Sequence, residues 1–218
     1  MGGLSFDAVV FDADGTLFDT ENLMYEVWAE VGEEMNFPYP AREYTDYVGL
    51  NRAAVLALMG ERYGDGFDGA DFMVRCVERL SRRMEEDGVP LKPGVREILA
   101  FLRERHIPVG LATSTHRVRT DRRLELCALE HCFQAVTTGD EVTKGKPDPE
   151  IYLATCAKLG VDPGRCLAVE DSKNGILSAH AAGMSVAMIP DMIPPTEELT
   201  AIAWRRFDSL IDLQNCLK

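Results

Sequence analysis

No apolar run in the 218 residues approaches the roughly 18 needed to cross a bilayer, so no membrane partner is expected. The start, MGGLSFDAVV, lacks a basic leader ahead of its apolar residues, and Phe6 stands where a myristoylation signal needs Ser or Thr. The expected location is the cytoplasm. Positive charge is short: 23 Lys and Arg face 36 Asp and Glu, a net charge of −13. The phosphates of a nucleic acid would be repelled over most of such a surface, so no nucleic-acid partner is expected. A small phosphorylated ligand stays open, provided a metal, a lysine or helix N-termini supply local positive charge. Paired cysteines are lacking too. Among Cys76, Cys127, Cys132, Cys156, Cys166 and Cys216, only Cys127 and Cys132 lie close, and no second pair stands at zinc-like spacing. Buried reduced thiols are expected. What remains, 46% hydrophobic and 27% charged residues, suits a globular chain long enough for one large domain or a core with an insert. A monomer is the expected state.

The apolar residues come in short runs. FDAVVF at 6–11, IPVGLA at 107–112, QAVT at 134–137, RCLAV at 165–169 and SVAMI at 185–189 are predicted as strands. Helical patterns at 94–105, 116–126, 149–160 and 173–182 separate most of them. Such alternation indicates βαβ units and a parallel sheet. Continuous rather than alternating apolar character fits strands covered on both faces. Between the first and second strands the pattern changes. Leu23, Val27, Val31 and Met35 recur along a predicted helix at 21–36, and Met73, Val77, Leu80 and Met84 line one at 69–86, with a further helix over 51–62. Turn-rich NFPYPAR at 36–42 and YGDGFDG at 63–69 divide them. The predicted architecture is therefore α/β: a Rossmann-like parallel sheet core with helices on both faces, from 1–17 and 90–218, and an inserted all-helical cap at 18–89. Two chain crossings would let that cap move against the core.

In an open parallel sheet, ligands gather at the carboxyl ends of the strands. The first strand ends in VVFDADGTLFD, with Asp12 and Asp14 two residues apart. Asp14-Gly15 alone also signals a hairpin, but a helical pattern rather than a partner strand follows. The second strand ends in Thr113, Ser114 and Thr115 at a helix start; after the third come Lys144 and Lys146; the fourth ends in Glu170 and Asp171. Taken singly these are a solvated strand end, helix N-caps and a surface turn. Together they are complementary. Four carboxylates on one rim repel one another unless a cation sits among them, and hard oxygens without histidine or thiolate suit Mg²⁺. The hydroxyls and N–H groups near Ser114 suit a phosphate, and a lysine could hold both that phosphate and a carboxylate nucleophile. An EF-hand reading of Asp12–Gly15 fails on its spacing.

These residues resemble the haloacid dehalogenase superfamily of phosphohydrolases, in the branch with a helical cap after the first motif. The likeness runs over nearly the whole chain. It stands on Asp12-Ala13-Asp14-Gly15-Thr16, Leu111-Ala112-Thr113, Lys146-Pro147, and Glu170-Asp171-Ser172 with Asn174-Gly175; the first and last are specific, and the middle two mean little without them. The resemblance implies that Asp12 attacks phosphorus, giving an aspartyl-phosphate, and that Asp14 is the acid and base. It implies Mg²⁺ held by Asp12, the Asp14 main-chain carbonyl, Glu170 and Asp171, with Thr113 and Lys146 on the phosphoryl oxygens. Gly15 would allow the turn that brings Asp14 over the site.

Within that superfamily the chain looks most like the β-phosphoglucomutases and small phosphosugar phosphatases. The resemblance makes Arg52, in VGLNR at 48–52, a candidate anion contact, and places Thr115, His116 and Arg117 where further distal-phosphate contacts fall. Met24 occupies the place of a mutase cap histidine, and a thioether carries no proton to transfer. A phosphonatase would need a cap lysine in an apolar setting, and none stands out. The expectation is a Mg²⁺-dependent phosphatase for a small phosphorylated metabolite, with mutase chemistry and a phospho-accepting receiver as the alternatives.

Overall fold

A computed structural model of the chain describes residues 6–36, 41–48, 50, 52–64 and 66–218. Gly2, Gly49, Asn51 and most of the turn expected at 36–42 lie outside the described residues. The chain divides into two compact units, Thr20–Gly88 and the combination of Met1–Asp19 with Val89–Lys218.

The Thr20–Gly88 unit is helical: α1 (Thr20–Glu34), a 3₁₀ segment (Ala41–Asp46), α2 (Arg52–Tyr63) and α3 (Gly69–Asp87). Asp68 caps α3 by accepting from the Asp71 N–H at 2.9 Å, and Gly88 ends it at φ 88°. The core forms around Trp28, whose ring meets Tyr44, Tyr47 and Phe72 at 5.0, 5.1 and 5.2 Å. Val27 and Val31 are buried as the pattern predicts, with Leu23 and Met35 half-buried. In α3 the buried stripe is Phe72, Cys76, Leu80 and Met84, so its first half is turned one residue from the predicted Met73 and Val77. Phe72 packed edge-on against Trp28 accounts for that rotation, since an aromatic ring buries more apolar area than a methionine stem.

The other unit is built on six parallel strands: β1 (Ala8–Phe11), β2 (Val109–Thr113), β3 (Ala135–Thr138), β4 (Cys166–Glu170), β5 (Ser185–Met188) and β6 (Arg205–Arg206). Their order is β3-β2-β1-β4-β5-β6. Helices α4 (Val95–Glu104), α5 (Arg117–Leu126), α6 (Glu150–Leu159), α7 (Lys173–Ala181), α8 (Glu197–Ile202) and α9 (Leu210–Leu217) accompany them. Every residue of β1, β2 and β4 is buried, which is why their sequences run apolar without alternating. One face of β1 and β4, carrying Ala8, Val10, Cys166 and Ala168, packs against Ile151, Tyr152 and Cys156 of α6 and Ile176 and Ala179 of α7. The chain winds outward from β1 to β2 and β3, then returns to lay β4 on the other side of β1. That reversal opens a crevice at the carboxyl ends of β1, β2 and β4.

Among the described residues no helix is long and apolar enough to cross a membrane. All six cysteines are free; four are buried as expected, whereas Cys132 is half-buried and Cys216 exposed.

Candidate active site

Register decides what meets at the crevice. Phe11 pairs with Leu111 on one side and Val169 on the other, and the Asp12 N–H donates to Val169 O at 3.0 Å. Asp12 therefore leaves the sheet level with Ala112 and Glu170. Lys146 reaches the same point: its Nζ donates to Asp12 Oδ1 at 2.5 Å, Glu170 Oε1 at 2.6 Å and Ala112 O at 3.1 Å. Asp12, Glu170 and Asp171 each offer an oxygen within 4.8 Å of the others. The structure thus gathers Asp12, Lys146, Glu170 and Asp171, from three separate stretches of chain, at one point.

Glu170 is fully buried and fully bonded. Oε1 accepts from Lys146 and from the Tyr152 hydroxyl at 2.7 Å; Oε2 accepts from the Asp171 N–H, the Ser172 N–H and Ser172 Oγ at 3.1, 3.2 and 3.1 Å. Its carboxylate lies where a Cβ on Gly175 would stand, so the first turn of α7 must pass it without a side chain. Ser172 also caps α7 by accepting from the Gly175 N–H at 3.1 Å. Asp171 is oriented by Thr16, whose hydroxyl donates to Oδ1 at 3.0 Å. Gly15, at φ 82°, runs so close that a Cβ would enter the Asp171 carboxylate.

One ammonium bonds two buried carboxyl groups, Asp12 and Glu170, with the half-buried Asp171 beside them, and their proton affinities show the imbalance. Burial pushes the Asp12 carboxyl up to about 8; Lys146 opposes the rise, and the Glu170 and Asp14 charges add to it. Burial, then Glu170 and Asp12, hold Asp171 well above the carboxylate range. Burial alone would lower Lys146, but Asp12 and Glu170 outweigh it and raise the ammonium, which stays charged. A further cation would relieve the two raised carboxyls, and the all-oxygen donor set fits a hard divalent ion such as Mg²⁺.

Asp14 faces elsewhere. Its Oδ2 accepts from Thr115 Oγ1 at 2.8 Å and its Oδ1 from Arg123 Nη1 at 2.5 Å, so its carboxylate lies outside the acidic cluster. Thr113 is buried at the end of β2, where its Oγ1 accepts from the Thr115 N–H at 3.1 Å. Ser114 and His116 are exposed beside it. The Arg117 guanidinium is drawn to the β3 side by Glu141 Oε2 at 2.6 Å, Val136 O at 2.8 Å and Asp121 at 3.3 Å, and is not gathered with the cluster. Arg52 belongs to the helical unit, exposed at the first residue of α2.

Tyr152, Thr16, Ser172 and Arg123 hold these groups in place; the sequence marked Thr16 and Ser172 as motif residues without a role, and did not mark Tyr152 or Arg123. Tyr152 reads as core because it is core, with only its hydroxyl at the site. Arg123 is buried with Thr120 and Leu124 on one face of α5, which the arginine-rich sequence of that helix does not announce.

Residues 6–183 match the family model of haloacid dehalogenase-like hydrolases. A phosphorylated carbohydrates phosphatase of Thermotoga maritima is 35% identical over 178 residues, covering 82% of each chain. Hexitol phosphatase B of Escherichia coli K12 is 32% identical over 208 residues, covering 94% of this chain and 93% of its own. A HAD family hydrolase of Deinococcus radiodurans R1, solved with bound phosphate and sodium, superposes with a TM-score of 0.82 at 27% identity, covering 98% of this chain and 96% of that one. With the crevice at the β1 reversal and motif residues from three stretches of chain converging on it, the match over most of the sequence settles the family: this chain belongs to the haloacid dehalogenase-like hydrolases.

Proposed function

We propose that the chain is a Mg²⁺-dependent phosphatase that hydrolyses a small phosphorylated carbohydrate through an aspartyl-phosphate on Asp12. That it is a hydrolase of phosphate esters follows from its family and from relatives named as phosphatases. The observation that carries the finer reading is the Lys146 ammonium bonded to the buried Asp12 and Glu170 carboxyls, with the half-buried Asp171 carboxyl beside them. Asp12 attacks phosphorus with the oxygen Lys146 leaves available. Lys146 then holds a phosphoryl oxygen, with the Thr113 hydroxyl at the neighbouring strand end as a further donor. Asp14 hands a proton to the departing alcohol, then takes one from the water that cleaves the Asp12 ester. Asp12, Glu170, Asp171 and the Asp14 main-chain carbonyl would hold Mg²⁺, which when bound neutralises charge on the transferring group. Hydrolysis is favoured over mutase transfer because Met24, half-buried in α1, cannot relay a proton, and the substrate class follows the names of the relatives.

The test is a panel of sugar, hexitol and glycerol phosphates with Mg²⁺, following released phosphate against isomerised sugar phosphate. Phosphate release is expected, and isomer without release would establish the mutase instead. Asp12→Asn should abolish turnover while far-UV circular dichroism stays unchanged. Residual activity within about tenfold of the parent would mean another group is the nucleophile.

A further inference from the structure

Arg123 is a buried cation without a part in the chemistry above. It is 8% exposed on α5; Nη1 meets Asp14 Oδ1 at 2.5 Å, and Nε is buried without an acceptor. A guanidinium has five donors and gives up much hydration on burial, so a position that served packing alone would favour an apolar side chain. The other Asp14 oxygen accepts from Thr115 Oγ1 at 2.8 Å. A carboxyl group turns freely about its last torsion, where the rotamer wells are broad. Two donors on opposite oxygens fix its plane.

We propose that Arg123 is a positioning residue that orients the Asp14 carboxyl for proton transfer and so determines how well poor leaving groups are expelled. This rests on the reading of Asp14 as acid and base. In the first half-reaction a bond forms from an Asp12 oxygen to phosphorus as the bond to the ester oxygen breaks. The proton leaves Asp14 for that oxygen, releasing an alcohol and leaving a carboxylate. In the second, water bonds to phosphorus, its proton goes to Asp14, and the Asp12–phosphorus bond breaks. Arg123 exchanges no proton. It faces negative charge that grows on Asp14 as the proton departs, an interaction stronger in the transition state than in the ground state.

The predicted signature is selective. A sugar alcohol needs a proton to leave, whereas p-nitrophenolate departs without one, and kcat/KM reports only steps through the first phosphoryl transfer. With sorbitol phosphate, Arg123→Met should lower kcat/KM about tenfold to a hundredfold, within the general-acid contribution. With p-nitrophenyl phosphate the change should stay within about threefold, and Arg123→Lys should recover most of the loss. Should Arg123→Met fail to fold, Arg123→Gln, which keeps a polar side chain but removes the cation facing Asp14, must show the same selectivity. Equal loss on both substrates, or on neither, overturns the assignment of Arg123. An inactive wild-type enzyme, or an active Asp12→Asn, would instead bring down the phosphatase reading beneath it.

Discussion

At Gly15 the main chain does two things that a side chain would forbid. Its φ of 82° is the left-handed conformation, and its α-hydrogen faces the Asp171 carboxyl. Gly15→Ala should therefore cost more than about 1 kcal/mol of stability from the backbone alone. The methyl would also displace Asp171, so Mg²⁺ affinity should fall further than stability does. Urea unfolding with and without Mg²⁺ separates the two, and a variant with unchanged Mg²⁺ stabilisation would remove Asp171 from the metal site. At this scale the sequence was legible where a charge breaks an apolar run: Asp12, Glu170 and Asp171 stand where such runs stop, and Lys146 follows the third at a short distance. Residues that work through another side chain were not. The Tyr152 hydroxyl lies on an otherwise apolar helix, and Arg123 stands in an arginine-rich one, where a solvated charge is the ordinary expectation.

Elements were legible in proportion to the apolar surface they bury. The strands that became β1 to β5 were readable as runs of Val, Leu, Ile and Ala; β6 was not, because it is two exposed arginines paired to Ala187 and Met188. α8 and α9 went unread for a related reason, since six- and eight-residue helices hold too few turns for a period to show. Gly110, in mid-strand, has a packing reason rather than a conformational one. A Cβ there would lie 2.7 Å from Thr155 Cγ2 and 3.2 Å from Leu159 Cδ1, so its lack of a side chain lets α6 lie close on β2. α6 also carries Tyr152, and Lys146 precedes it by a few residues. Gly110→Val should destabilise by about 1–3 kcal/mol through overpacking. On the proposed mechanism, the same displacement of α6 should affect kcat more than KM, because Lys146 bonds Asp12 and Glu170 and Tyr152 bonds Glu170. Wild-type turnover in a folded variant would show that α6 does not set the position of Lys146.

At the scale of the molecule, the proposed metal site would couple stability to charge. With the net charge at −13, two carboxyl groups of the acidic cluster are held above their ordinary range: Asp12, at about 8, and Asp171. Asp12 rises from 3.8 to about 8 on folding, so between those values the folded metal-free chain holds a proton that the unfolded chain has released. Its contribution is complete below pH 3.8 and lost as pH climbs towards 8, and Asp171 acts in the same direction. Asp140, Glu141 and Glu150 are lowered, so their stabilisation fades only as pH falls below the ordinary carboxylate range. Lys146 is raised, and its share is lost only at alkaline pH. Above about pH 5 the cluster should therefore dominate, and metal-free stability should fall towards pH 8. Mg²⁺ competes with those protons, so its stabilisation, about 2.7 kcal/mol at a hundredfold excess over Kd, should be larger at about pH 8 than at pH 5. Thermal melts across that range, after chelation and after Mg²⁺ is restored, measure both curves. If they run parallel, the ion does not enter among Asp12, Glu170 and Asp171, and the raised carboxyls are balanced by something other than metal.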